Sequence, residues 1–261
     1  MARAFVNGVD MYYEVHGTGQ PLVVLHGAFM TIELMGDLVP GLARSRQVVA
    51  VEMQGHGRTP DVDRPLTYEG LADDAAALIR HLGIGPADVY GYSLGGGAAL
   101  QLAIRHPGLV RKLVAVSASY SSEGLYPEVT ATIAQLAPEM FDGTPWRAAY
   151  DRVAPRPEAF ATLVAKMRAL DLTPYDWSAE AVGAIAAPTL IVVGDSDGTR
   201  PEHAVEMFRL RGGGVFGDIA GLPAAQLAIL PGTTHVGILE RADLLVPIVA
   251  RFLDAPMPAG A

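Results

Sequence analysis

Short wholly apolar runs alternate along the chain with segments of helical period. Residues 3–6 and 10–15 flank Asn7-Gly8, a pair that accepts φ > 0 at both positions and so predicts a two-residue hairpin. Residues 21–25, 47–51, 87–92, 110–116, 188–193 and 226–230 are apolar enough to be strands buried on both faces. Between them, Leu71, Ala75, Leu78 and Ile79 recur at helical spacing from Thr67 to about Leu82, and Gly83 stops the run. Residues 98–105, 202–210 and 242–253 also read as helices, and the glycine-rich stretch 211–224 as a surface loop on the face away from Ser93. Strands alternating with helices predict a largely parallel α/β sheet, whose ligands bind beyond the strands' carboxyl ends.

From 117 to 187 the pattern changes. Prolines 127, 138, 145, 155, 157 and 174 break short helical pieces, and both tryptophans, Trp146 and Trp177, fall here among other aromatics. A plain crossover needs only a dozen or so residues, so this stretch predicts a helical cap inserted in a core made of 1–116 and 188–261.

Composition narrows the function classes. The 261 residues carry a net charge of −9 and no basic patch, which argues against nucleic acid or an anionic membrane as partner. The chain has no cysteine, which excludes disulfides and thiolate metal sites. The first eight residues lack the apolar core of a signal peptide, and no run approaches the ~18 apolar residues of a membrane span. A soluble cytoplasmic protein is the expectation.

The chemistry gathers at Gly91-Tyr92-Ser93-Leu94-Gly95, which follows a strand pattern and opens a helix pattern. In that context G-x-S-x-G sets a serine on a sharp strand-to-helix turn, where side chains at the glycines would collide with neighbouring backbone. A serine hydroxyl needs a base to take its proton, an acid to orient that base, and donors for an oxyanion. His26-Gly27-Ala28, Ser93, Asp195 and Asp197, and His235 all follow predicted strands, in chain order Ser…Asp…His.

With Leu25-His26-Gly27-Ala28, Gln54-Gly55-His56-Gly57-Arg58, Gly91-Tyr92-Ser93-Leu94-Gly95-Gly96, Gly194-Asp195-Ser196-Asp197 and Pro231-Gly232-Thr233-Thr234-His235, the chain resembles the α/β-hydrolase superfamily over nearly its whole length. The resemblance implies a mostly parallel eight-stranded sheet with helices on both faces and a small helical cap. It implies Ser93 as nucleophile, His235 as base and Asp197 as its acid, Asp195 being a turn former or helper. The oxyanion donors would be the backbone N–H groups of Ala28 and Leu94. His26 and the loop around His56 would be scaffold, and His16, His81, His106 and His203 surface residues.

A serine at the turn excludes the aspartate-nucleophile branches. The expected reaction is hydrolysis of an uncharged ester or lactone through an acyl-enzyme, with no metal or organic cofactor. Phe29, Met30, Met35, Tyr92, Trp146 and Trp177 are the candidate substrate contacts. Residues 27–36 with 52–57 are also similar to serine macrolide esterases, which open a macrocyclic lactone. The same residues serve C–C bond hydrolysis and cofactor-free perhydrolysis in relatives, and some relatives are ligand receptors.

Overall fold

The structure, a computed structural model, describes residues 2–257. Eight strands form one sheet: β1 (Ala2–Val6), β2 (Val9–His16), β3 (Gln20–Leu25), β4 (Arg46–Val51), β5 (Ala87–Tyr92), β6 (Val110–Val116), β7 (Thr189–Ser196) and β8 (Ala225–Thr234). Their order is β1-β2-β4-β3-β5-β6-β7-β8. β2 runs antiparallel to β1 and β4, and every other pairing is parallel. The helices are α1 (Leu38–Leu42), α2 (Tyr68–Leu82), α3 (Leu94–Arg105), α4 (Pro127–Ala134), α5 (Pro145–Val153), α6 (Phe160–Leu172), α7 (Ala179–Gly183), α8 (Pro201–Leu210), α9 (Gly217–Ala220) and α10 (Ala242–Asp254).

The apolar runs are buried on both faces because alternate side chains feed two cores. Val23, Leu25, Val89, Leu113, Ala115, Ile191 and Val193 join the core under α2, α3 and α8. Leu22, Val24, Tyr90, Val114, Val116, Leu190 and Val192 join the core under α1 and α10. α2 begins at Thr67, whose side chain accepts from the Gly70 N–H at 2.9 Å, and ends at Gly83 in the left-handed conformation.

Helices α4 to α7 and their connections lie between β6 and β7. The prolines here begin helices more than they break them: Pro127 and Pro145 open α4 and α5, where a missing N–H costs nothing. Phe160, Leu163, Val164 and Met167 of α6 are buried in the same core as α2 and α3. Lys166 ties α6 to the loop before α2, donating to Asp61 Oδ2 and to the carbonyls of Val62 and Arg64, each at 2.7 Å. α4 holds no buried residue.

Three expectations change in detail. β8 continues through Pro231 to Thr234, because Ser196 pairs with Thr234 beyond a bulge in which residues 231–233 of β8 face Asp195 alone. The glycine-rich stretch 211–224 contains the single turn α9. His203 is buried, not a surface residue: its ring stacks on Tyr120 at 4.5 Å and its Nε2 accepts from the Tyr120 N–H at 3.3 Å.

Thr67 caps the helix whose first residue, Tyr68, faces the cavity described below. Thr67→Ala should lower stability by about 1 kcal/mol, read as a fall of roughly 2–4 °C in thermal midpoint. An unchanged midpoint would show that water replaces the cap at no cost.

Candidate active site

Ser93 sits between the last residue of β5 and the first of α3, with φ 53° and ψ −116°. This conformation is strained for a residue with a side chain, and the neighbouring backbone holds it there. The Ser93 N–H donates to the Val116 carbonyl at 2.9 Å, and the Gly95 N–H to the His26 carbonyl at 3.0 Å. A Cβ on Gly91 would stand 2.1 Å from the Gly95 carbonyl oxygen, and one on Gly95 would stand 2.3 Å from that of Leu25. Both positions admit only glycine, so α3 starts directly against the end of β3.

The hydroxyl so presented meets His235, which follows β8. Ser93 Oγ lies 2.9 Å from His235 Nε2, and His235 Nδ1 lies 2.7 Å from Asp197 Oδ1. With Nδ1–H donating to the carboxylate, Nε2 is free to accept the serine proton. Asp197 is buried, and Thr199 N–H also donates to its Oδ1, at 3.1 Å. Its Oδ2 accepts from the Ser117 hydroxyl at 2.6 Å and the Gly194 N–H at 3.3 Å. Burial pushes this carboxyl up, but the donors, His235 foremost, outweigh it and hold Asp197 below the usual carboxylate range. Asp195 has a different setting. It is exposed, and its oxygens accept from the Gly232 and Thr233 N–H groups at 2.9 and 3.1 Å, clamping β7 to β8 across the bulge. The Tyr92 hydroxyl donates to the His235 carbonyl at 2.9 Å, tying the histidine's loop to the residue before the serine.

The loop after β3 brings up the other wall. His26 is fully buried; its Nε2 accepts from the Met53 N–H at 3.1 Å, which assigns the proton to Nδ1, 2.7 Å from the Gly27 carbonyl. Burial, helped by His56 nearby, lowers its pKa to about 3, so it stays neutral and acts as a strut between the ends of β3 and β4. His56 is likewise buried, its pKa lowered to about 4 chiefly by burial. Ala28 and Leu94 both border the space in front of Ser93. The Leu94 N–H, at the first position of α3, has no carbonyl a turn earlier within the helix to bond.

That space is a cavity of about 290 Å³. Its apolar wall is built by Phe29, Leu94, Val129, Ile133, Leu136 and Met167, and its polar wall by Tyr68, Ser119, Asp171 and Tyr175. Of the six expected contacts only Phe29 reaches it. Met30, Met35 and Tyr92 belong to the core on the α1 and α10 side, because strand alternation points Tyr92 to the face that α4 and α6 do not cover. Trp146 packs against both cores. Trp177 stacks on Tyr175 at 4.9 Å and lines an outer groove of about 720 Å³, which shares Tyr68 and Tyr175 with the inner cavity. Sequence reasoning missed Ser117, Ser119, Tyr68 and Asp171, and counted Tyr175 only among the aromatics of the 117–187 segment. Ser117 carries a local signal of a kind, lying directly after the apolar run of β6; the others carry none. Among the described residues no group of three metal-ligating side chains is gathered.

A serine hydroxyl in contact with a histidine that also meets a buried carboxylate, at the end of a parallel sheet and beside an apolar cavity, is the arrangement of a hydrolase of the α/β type. A family-wide sequence profile for the alpha/beta hydrolase fold matches residues 20–178, and the chain belongs to that family. It is 28% identical over 251 residues, 88% of this chain and 92% of the other, to a pimeloyl-[acyl-carrier protein] methyl ester esterase of Neisseria meningitidis serogroup B. It is 26% identical over 252 residues, 90% of this chain and 84% of the other, to a poly(3-hydroxyalkanoate) depolymerase of Ectopseudomonas oleovorans. A meta-cleavage product hydrolase of Pseudomonas fluorescens IP01 shares the fold with a TM-score of 0.80 at 20% identity, over 97% of both chains.

The approach of α3 to β3 is testable. In Gly95→Ala the new methyl must push against the Leu25 and His26 carbonyls. A displacement near 1 Å at the nucleophile costs about 10² in rate, so kcat/KM should fall at least that far in whatever variant protein folds. A value within threefold of wild type would show that the turn does not depend on this contact.

Proposed function

We propose that the protein is a serine hydrolase of carboxylic esters or lactones that carry no negative charge. The observation that supports this most is the pair of contacts Ser93 Oγ–His235 Nε2 and His235 Nδ1–Asp197 Oδ1, at 2.9 and 2.7 Å, opening on a largely apolar cavity. The likeness to a methyl ester esterase over 88% of the chain supports ester hydrolysis. Among the described residues no lysine or arginine lines the cavity, and one carboxyl does, which disfavours an anionic acyl group.

Ser93 attacks the ester carbonyl while His235 takes its proton, and Asp197 holds the imidazole in the accepting tautomer. The N–H groups of Ala28 and Leu94 receive the negative charge that develops on the carbonyl oxygen. His235 returns the proton to the departing alkoxide, then activates a water that releases the acid from Ser93. The inner cavity, near the lower end of the ~300–1,000 Å³ typical of ligand sites, suits the acyl part. A macrolactone would extend past Tyr68 and Tyr175 into the outer groove. The segment 117–187 walls much of the cavity and governs which esters fit; its Ser117, which donates to Asp197, supports the acid without touching the substrate carbonyl.

Ser93→Ala should reduce kcat on an activated ester by on the order of 10⁴–10⁶, with an unchanged thermal midpoint, and a fluorophosphonate should label Ser93 alone. Retention of a tenth of wild-type kcat rules out this nucleophile.

The two aspartates should separate. Asp197→Asn should cost about 10⁴ in kcat, since an amide can stabilise neither the tautomer nor the imidazolium. Asp195→Asn, at an exposed clamp, should cost less than about tenfold. Equal losses would move the acid to Asp195.

A further inference from the structure

The carboxyl of Asp171, on the last turn of α6, faces the same cavity as Ser93 and His235. Among the described residues it has no cationic partner. Arg168, about one turn earlier on its own helix, is exposed, and Lys166, five positions earlier, is taken up by Asp61 and two carbonyls. From α2 it meets the Tyr68 hydroxyl, at a loose 3.5 Å. Tyr175, in the segment after α6, bonds instead to Ser119 Oγ at 2.7 Å. The titratable and polar groups around it are therefore Tyr68, Tyr175, Ser119 and, across the cavity after β8, His235. Burial holds both tyrosines above their usual range, so they stay uncharged. A carboxylate can accept about four hydrogen bonds, and here one loose donor is offered.

The rings add a second feature. Tyr68 and Tyr175 stand 5.2 Å apart, tilted to each other, and both line the cavity beside the carboxyl. A carboxylate beside aromatic rings is a setting that recognises ammonium groups.

We propose that Asp171, with the rings of Tyr68 and Tyr175, is a subsite for a positively charged amine on the substrate, and that it selects esters or lactones bearing such a group. The substrate supplies the countercharge that the protein withholds. This rests on Ser93-dependent hydrolysis as proposed above, and it replaces the uncharged substrate expected from the sequence with one that bears a cationic substituent. Asp171 is a specificity residue; it contributes no atom to bond making or breaking. Burial pushes its carboxyl up to about 7, against the pull of the Tyr68 hydroxyl and of His235. The charge at the subsite is therefore switched on as pH rises through neutrality.

The test compares 4-nitrophenyl 4-(trimethylammonio)butanoate with its carbon isostere, 4-nitrophenyl 5,5-dimethylhexanoate. The ammonium is permanent, so it does not titrate. The protonation of His235 weighs equally on both esters and cancels in the ratio of their kcat/KM values. In wild type that ratio should rise about tenfold between pH 6 and pH 8.5, the growth in the ionised fraction of a group with pKa near 7. In Asp171→Asn the ratio should be flat with pH, and at pH 8.5 it should be at least about tenfold below wild type. A wild-type ratio that is independent of pH, or that falls as pH rises, overturns the proposal whether or not the variant folds. If neither ester is cleaved, hydrolysis is what fails. The subsite is then judged by calorimetric titration with butyltrimethylammonium at pH 8.5: binding at least tenfold tighter to wild type than to Asp171→Asn sustains it, and equal binding overturns it.

Discussion

Gly95 lies so close to the end of β3 that no side chain fits between them, and the geometry of the site descends from that approach. It forces the backbone at Ser93 into positive φ and starts α3 where the strand stops. It also brings the amide of Leu94 to the same side as the loop carrying Ala28. His235 and Asp197 reach Ser93 from β8 and β7, two strands whose pairing is irregular just there. The bulge frees Asp197 to turn inward, while Asp195 secures the strands from outside. Rigid backbone sets the distances, and flexible side chains only complete them.

The strands and their order of burial were legible because period-two alternation between two apolar faces leaves continuous apolar runs. The motif residues were legible because tight turns and close approaches admit few residue types, as at Gly91 and Gly95. The pocket was not. Its walls come from α2, from the segment after β6 and from α4 and α6, elements far apart in sequence. An aromatic or acidic residue on a short helix has the same local signature whether it faces a cavity or solvent. Trp146 and Trp177 stood out by type, yet one fills core and the other backs Tyr175. Asp171 was one charged residue in a helix, and nothing nearby marked it. Phe29 was found because it adjoins a motif.

The buried histidines separate by the same physics. His26 and His56 have lost water and gained only neutral partners, so burial fixes them uncharged. His235 is half exposed and faces both a carboxylate and a hydroxyl. Residue type offers three plausible bases near the sheet's edge. Solvent access and the identity of the second partner choose among them.

The two helical walls of the cavity are held very differently. α6 is buried along one side and anchored through Lys166 to three groups of the loop before α2. α4, packed against α6, covers the cavity with Val129 and Ile133 and has no buried residue. The cost of local opening follows burial and bonding, so α4 can lift at little expense while α6 stays in place. The covering of the cavity thus joins a lightly held helix to a firmly held one, and the cost of exposing the space in front of Ser93 is set by the first.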